Sequence, residues 1–270
     1  MESVRNKDQI NDLKYNKISG SPEFIDSSII FKGKNNIFAC ESNVKLLNCS
    51  IRFEGNNSVV YLSNSSNSNY PLNLQIYNDS LVFFGRDTSI TPMLNVNVQE
   101  HQNLIIGDDC LIGSNSNIRT SDAHPIYSAK SKKRINLSKS VFIGDHVWLG
   151  HLSYISRGVK IGSGAIIDNN CYMAPNFIGK SNSFSSGNPA SLIKEDVFFV
   201  KEYLGNFKEE ETIGIDEYLS RIYLFEFNKT ESISLDAIDK ILKELDPEGK
   251  VDFIKKLFIE KKKKNRFSIN

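Results

Sequence analysis

His124 stands in the segment S-D-A-H-P-I-Y at 121–127, and 24 residues further on Trp148 stands in I-G-D-H-V-W-L-G at 143–150. An alcohol is a weak nucleophile at neutral pH, so acyl transfer to a hydroxyl needs a base beside it. A neutral imidazole, with an ordinary pKa of about 6.5, suits that task. Its second nitrogen needs an orienting acceptor, and Asp122 or a backbone carbonyl is at hand. The tetrahedral intermediate needs a hydrogen-bond donor for its oxyanion. A second chemistry is also open. His146 and His151 lie five residues apart; with His124 they offer three imidazoles, the donor set of a zinc site with one open position. The four cysteines, Cys40, Cys49, Cys110 and Cys171, add little. No pair has C-x-x-C spacing and none neighbours a His at metal-ligand spacing, so each reads as a small buried hydrophobe.

The scaffold that must carry these residues is written as a repeat. From Ile143 an aliphatic residue recurs at every sixth position: Ile143, Leu149, Ile155, Ile161, Ile167 and Met173. Four residues after each comes a second small or apolar one: Val147, Ser153, Val159, Ala165, Cys171 and Phe177. Ile106, Ile112 and Ile118 keep the same step. A period of six matches neither a helix nor simple strand alternation. It matches a triangular solenoid in which each hexad is a short strand and a corner, and three hexads make a coil whose apolar face is buried only by stacking. Ile106 and Ile143 are 37 residues apart where one coil takes 18, which leaves an insertion at 119–142 carrying His124. Long loops on rigid scaffolds often carry function.

Upstream, Leu47, Phe53, Val59, Ile76 and Val82 keep fragments of the six-residue step, but Ser63–Asn69 breaks the phase. Residues 28–100 are therefore expected as irregular earlier coils with surface loops, an antiparallel sheet cap being the alternative. Beyond Pro189, Val197–Leu204, Asp216–Phe227 and Leu235–Leu245 show helical spacing, the last with Ser234 as N-cap; Val251, Ile254, Leu257 and Phe258 continue an apolar stripe. The basic tail Lys255–Arg266 reads as a solvated terminus. The expected organisation is an N-terminal segment 1–27, a β-helix domain 28–195 with its insertion, and a helical region 196–270.

With 33 basic and 32 acidic residues, nothing in the charge balance points to nucleic acid or a membrane surface. The polar start MESVRNKDQINDLKYNK lacks the apolar stretch of a secretion signal, and no apolar run spans a bilayer, so a cytoplasmic location is expected.

Together these motifs resemble the hexapeptide-repeat acetyltransferases, including galactoside and maltose acetyltransferases and bacterial O-acetyltransferases of sialic acid and polysialic acid capsules. The resemblance covers roughly 101–194 and rests on the H-P loop, its spacing to V-W-L-G, and G-N-P-A at 187–190. It implies a left-handed parallel β-helix, acetyl-CoA as co-substrate, no metal, and a homotrimer whose sites lie between subunits. It implies His124 as catalytic base and Trp148 as a site residue whose stretch supplies a backbone N–H to the oxyanion. Its CoA contacts fall on Trp148, His151, Asn169, Ala174, Pro175, Ser191 and Lys194, with Lys180 and Lys194 as candidates for the phosphates. The chain departs from the pattern at His151, where relatives have Ser, and at Ala174-Pro175, where they have Thr-Lys.

The acceptor is then a bacterial surface glycan. Arg119, Lys130, Lys132, Lys133, Arg134 and Lys139 against Asp122 make the insertion basic, which suits an anionic acceptor such as sialic acid. A galactoside-like or maltose-like acceptor is the alternative. So is a metal enzyme resembling the γ-class carbonic anhydrases, which share this solenoid and the His146/His151 spacing. A solenoid serving only as an assembly scaffold is a third class.

Overall fold

The computed structural model describes residues 1–65, 69–213, 215, 217–260 and 263–270. The chain winds into a parallel β-helix of triangular section. Face A stacks Ser28–Phe31, Ser50–Phe53, Leu72–Ile76, Leu94–Val98, Asn117–Arg119, Tyr154–Ile155 and Tyr172–Met173, with Glu2–Val4 added antiparallel at its start. Face B stacks Lys17–Ser19, Ile37–Cys40, Val59–Leu62, Leu81–Phe84, Asn103–Ile106, Val141–Ile143, Lys160–Ile161 and Ile178–Gly179. Face C begins with Glu23–Ile25, Lys45–Leu47 and Asn69–Tyr70. It continues through Ser89–Ile90, Leu111–Ile112, Trp148–Leu149, Ile166–Ile167 and Ser183–Gly187, and ends with the antiparallel strand Ala190–Glu195. Strands on all three faces already occur within residues 1–27, so the winding starts there.

The six-residue repeat appears as two-residue strands separated by corners. Tyr154 pairs with Tyr172 and Lys160 with Ile178, so a coil here takes 18 residues. Inward side chains of successive coils form one continuous core, including Ile143, Leu149, Ile155, Ile161, Ile167 and Met173.

Residues 28–100 depart from expectation. They are neither irregular coils nor an antiparallel cap but regular parallel coils with a longer period. Ser28 pairs with Ser50, Leu72 with Leu94 and Asn95 with Asn117, each 22 residues on. Strands of four or five residues on faces A and B need a longer circuit than two-residue strands, so a six-residue ruler loses phase. The break at Ser63–Asn69 falls partly on residues 66–68, outside the described residues. Asparagine has a structural use here. Asn35, Asn57 and Asp79 occupy left-handed corners at φ 56°, 59° and 56°, a conformation Asn and Asp tolerate better than most. Their side chains stack coil to coil, Asn35 Nδ2 donating to Asn57 Oδ1 and Asn57 Nδ2 to Asp79 Oδ1, both at 2.9 Å.

The middle coils of face B are buried on both sides. Val59–Leu62, Leu81–Phe84 and Asn103–Ile106 are buried at every residue, because the C-terminal region covers their outer side. Leu235, Ile238, Leu242, Val251, Ile254, Phe258 and Phe267 pack on Val59, Tyr61, Leu81, Phe83, Ile105 and Phe142. The helix Leu235–Glu244 is capped as expected, the Ser234 side chain accepting from the Ala237 N–H. Pro247–Ile254 follows, capped by Asp246.

Two helices expected from spacing do not form. Residues 197–203 and 217–227 run without helix along the edge between faces B and C, and Asp216 lies outside the described residues. Their backbone groups bond corner residues instead: the Val197 N–H donates to Asn182 O and the Phe225 N–H to Asn182 Oδ1. The basic tail is not simply solvated either. Arg266 is 3% exposed and its guanidinium is held by Asp145 at 2.6 and 2.8 Å, by Asp108 at 2.9 Å and by Phe258 O at 2.9 Å. Burial pushes the Cys49 thiol up to about 12 and Cys110 higher still, as for inert packing residues. Among the described residues no helix is long and apolar enough to cross a membrane.

Candidate active site

The insertion leaves face A after Arg119 and rejoins face B at Val141, so it sits on the A/B edge. It is pinned to coils on both sides. Arg134 forks onto Glu100 of the preceding coil at 2.7 and 2.8 Å, and Glu100 also accepts from Ser138; the Arg134 bonds, foremost, pull Glu100 down to about 2. Lys139 reaches Asn176 at 2.7 Å. Asp122 Oδ2 accepts from Arg157 Nε at 2.9 Å and from Asn136 Nδ2 at 3.0 Å. Burial alone would raise the Asp122 carboxyl, but those two bonds outweigh it and hold it below the ordinary range.

His124 is fixed by its backbone. Its N–H donates to Asp122 O at 2.8 Å and its carbonyl accepts from Asn136 Nδ2 at 2.9 Å, while the side chain is exposed. Asp122 therefore holds the loop rather than the imidazole. Asn136 and Arg157 escape sequence reading, since they meet Asp122 only through loop folding and coil stacking.

Trp148 lies elsewhere, on face C, with its side chain turned outward and 43% exposed. Its N–H donates to Ala165 O at 2.9 Å, and the Gly150, His151 and Leu152 N–H groups donate to Ile167 O, Asn169 Oδ1 and Ser114 O at 2.8, 2.7 and 2.9 Å. The free backbone N–H expected in this stretch is absent at these four positions, because a strand inside a parallel stack bonds on both edges. His151 and Asn169 meet at the C/A edge. His151 Nδ1 accepts from the Ser114 N–H at 2.9 Å, which leaves the proton of the neutral ring on Nε2.

Ala174 and Pro175 stand on the A/B edge, next to Asn176 and the Lys139 anchor. Ser191 and Lys194 lie exposed on the final strand of face C. Lys180 pairs with Glu195 at 2.9 Å. The candidate residues thus fall into two groups: His124, Ala174 and Pro175 on the A/B edge, and Trp148, His151, Asn169, Ser191 and Lys194 along face C and its borders. One chain carries both groups on different sides of the prism.

His146 and His151 sit at opposite ends of the Trp148–Leu149 strand, at different corners. The His146 ring is 1% exposed. Its Nδ1 faces Asp109 Oδ2 at 2.6 Å and its Nε2 faces Phe199 O at 3.0 Å. The rings of Phe199 and Tyr223 stack on its two sides with centroids 4.1 Å away. Burial would raise Asp109, but bonds from His146 and Lys201 outweigh it. With both ring nitrogens occupied, His146 is a rivet for the 197–225 segment. Phe199 also lies 5.6 Å from the Trp148 ring. His146 occupies a left-handed corner at φ 53°. Among the described residues no three His, Cys, Asp or Glu side chains are grouped so as to hold a metal ion.

Two family models match the chain: "Bacterial transferase hexapeptide (six repeats)" over 140–175 and "Hexapeptide repeat of succinyl-transferase" over 103–120. A polysialic acid O-acetyltransferase of Neisseria meningitidis is 32% identical over 126 residues, 47% of this chain and 58% of that protein. One of Escherichia coli O1:K1 / APEC is 33% identical over 122 residues, 45% of this chain and 39% of that protein. The chain thus spans less than two thirds of the curated relatives it matches. The crystal structure of the polysialic acid-specific acetyltransferase NeuO superimposes with a TM-score of 0.61 at 28% identity, covering 74% of this chain and 86% of that one. The polysialic acid O-acetyltransferase OatWY shares the fold, with a TM-score of 0.56 at 23% identity over 74% of this chain and 98% of that one. The chain carries hexapeptide repeats and resembles the polysialic acid O-acetyltransferases in sequence and in fold.

Proposed function

We propose that the protein transfers an acetyl group from acetyl-CoA to a hydroxyl of a bacterial surface glycan, with a sialic acid-containing glycan as the acceptor, in the cytoplasm. The observation that carries this reading is the pairing of His124, presented on a loop pinned at both ends, with an outward Trp148 on a different face of the same coils. His124 takes the proton of the acceptor hydroxyl as its oxygen attacks the thioester carbonyl. The tetrahedral intermediate collapses by breaking the C–S bond, and the proton held on His124 passes to the departing thiolate. Trp148, His151 and Asn169 border the path of the pantetheine chain, Ala174 and Pro175 contribute backbone, and Ser191, Lys180 and Lys194 lie toward the nucleotide end. Because the two groups sit on different sides of one prism, the site is completed in a homotrimer, the His124 loop of one subunit facing Trp148 of the next.

The support for an anionic acceptor is the loop's charge, although Arg134 is spent on Glu100; Lys130, Lys132 and Lys133 remain exposed. The test is acetyl-CoA consumption across a glycan panel, with mass-spectrometric identification of the product. Acetylation of sialylated glycans, faster than that of their neutral counterparts, is the expected result. Thioester consumption with none of the glycans contradicts the reading.

A further inference from the structure

The outer side of face A is lined with side-chain amides in two columns. Strand pairing sets Asn73 beside Asn95 and Asn95 beside Asn117; it sets Gln75 beside Asn97 and Asn97 beside Arg119. These six residues line a groove of about 180 Å3. In the first column Asn73 Nδ2 donates to Asn95 Oδ1 at 3.0 Å. In the second, Asn97 Nδ2 donates to Gln75 Oε1 at 3.3 Å, and the chain of bonds then stops. Asn97 Oδ1 and Arg119 Nε are both buried with no hydrogen-bond partner.

A buried polar atom without a partner costs about 1–3 kcal/mol, and more when the group is charged. Arg119 nevertheless makes no ion pair among the described residues. Of the charged groups around it, Asp122 is near enough to feel its charge, but Asp122 is bonded to Arg157 and Asn136. Arg134 and Lys139 on the same loop are committed to Glu100 and Asn176. Arg119 is thus a cation held in a groove, with a donor and a neighbouring acceptor unpaired.

The groove also leads toward His124. Two residues beyond Gln75, Asn97 and Arg119 come Tyr77, Gln99 and Ser121. They line a second groove, together with Ala123 and Pro125 on either side of His124. Tyr77 Oη and Gln75 Oε1, 3.5 Å apart, join the two.

We propose that this groove is the anion subsite for the acceptor: Arg119 binds a carboxylate of the glycan, and Asn97 Oδ1 accepts from an N–H or hydroxyl of the same or the adjoining sugar. This rests on the acceptor reading above, and names the residues that read the charge. Arg119, rather than the exposed lysines at the tip of the loop, sets the preference for an anionic sugar, because its partly buried guanidinium is screened less by salt.

The test is binding, in a His124→Ala background so that no turnover intervenes. The ligands are a sialic acid trimer and the same trimer with its carboxyl groups reduced to alcohols, titrated calorimetrically. The trimer is expected to bind at least about 10-fold more tightly than its reduced form. Arg119→Gln is expected to remove about 10- to 100-fold of trimer affinity, the worth of a charged hydrogen bond, and to leave the reduced form and acetyl-CoA unchanged. Arg119→Lys is expected to recover part of the loss. Equal affinity for the two trimers overturns the proposal even if the variants fail to fold. So does an equal loss of both in Arg119→Gln. A change in subunit number for Arg119→Gln assigns Arg119 to a subunit contact and also overturns it. If Arg119 discriminates the trimers but the unsubstituted protein acetylates no glycan, the subsite stands and the proposed activity fails. If acetylation is found without discrimination at Arg119, the reverse holds.

Discussion

Mixing two inactive variants tests whether the site is shared between subunits. His124 lies on a loop fastened to the A/B edge through Glu100, Arg157 and Asn176, and Trp148 lies on face C, so no small rearrangement unites them within one chain. His124→Ala and Trp148→Ala should each be nearly inactive, the first by about 10²–10⁴-fold. In a trimer each site takes its loop from one subunit and its tryptophan face from the next. Equal random mixing then gives an intact loop opposite an intact face at about one site in four, so roughly 25% of the unsubstituted rate should return. The reciprocal mixture, unsubstituted protein with the doubly substituted His124→Ala/Trp148→Ala chain, should also give roughly one quarter. A site confined to one chain would give none in the first mixture and about one half in the second. The assay is thioester consumption after co-refolding, with mixed trimers confirmed by tags of two kinds. No recovery in verified mixed trimers, or a monomer by light scattering, refutes the reasoning.

Two further predictions concern the C-terminal region. Arg266→Ala strands Asp145, whose carboxyl burial pushes up and whose counter-charge is Arg266. Removing one partner of such a pair should cost about 3–5 kcal/mol, read as a lower denaturation midpoint. Lys250 is buried against face B, its Nζ donating to Asp79 O at 2.6 Å, and burial lowers it from 10.5 to about 8. Between those two values the unfolded chain keeps a proton that the folded chain has shed. This contribution to stability is therefore full above the unfolded pKa and is lost as pH falls toward 8. Relative to Lys250→Met, the unsubstituted protein should gain up to about 3 kcal/mol from pH 8 to 10.5; parallel stability curves for the two proteins would remove the effect.

The hexads from Ile143 to Met173 were legible because each residue's neighbours in sequence settle its environment: an inward aliphatic, a corner, and a two-residue strand. The His124 loop was legible as an interruption of that count. The 22-residue coils were not, since their longer strands shift the phase and their asparagines look compositional until Asn35, Asn57 and Asp79 are seen to stack. What could not be read is what depends on stacking. Asp122 lies two residues from His124 but bonds Arg157, one coil on. His146 could be read as a metal ligand until Phe199 and Tyr223, from a segment with helical spacing, were found closing over it. The basic tail looked solvated because Asp108 and Asp145 lie more than 100 positions from Arg266.

The central claim is that His124 removes the acceptor's proton in an acetyl transfer, and its most direct test is a single measurement. Purified protein and His124→Ala are each given acetyl-CoA and a sialic acid oligomer, and acetylated product is quantified by mass spectrometry. The account predicts product with the unsubstituted protein and a loss of about 10²–10⁴-fold in a His124→Ala protein that still folds. Near-normal acetylation by folded His124→Ala would contradict it.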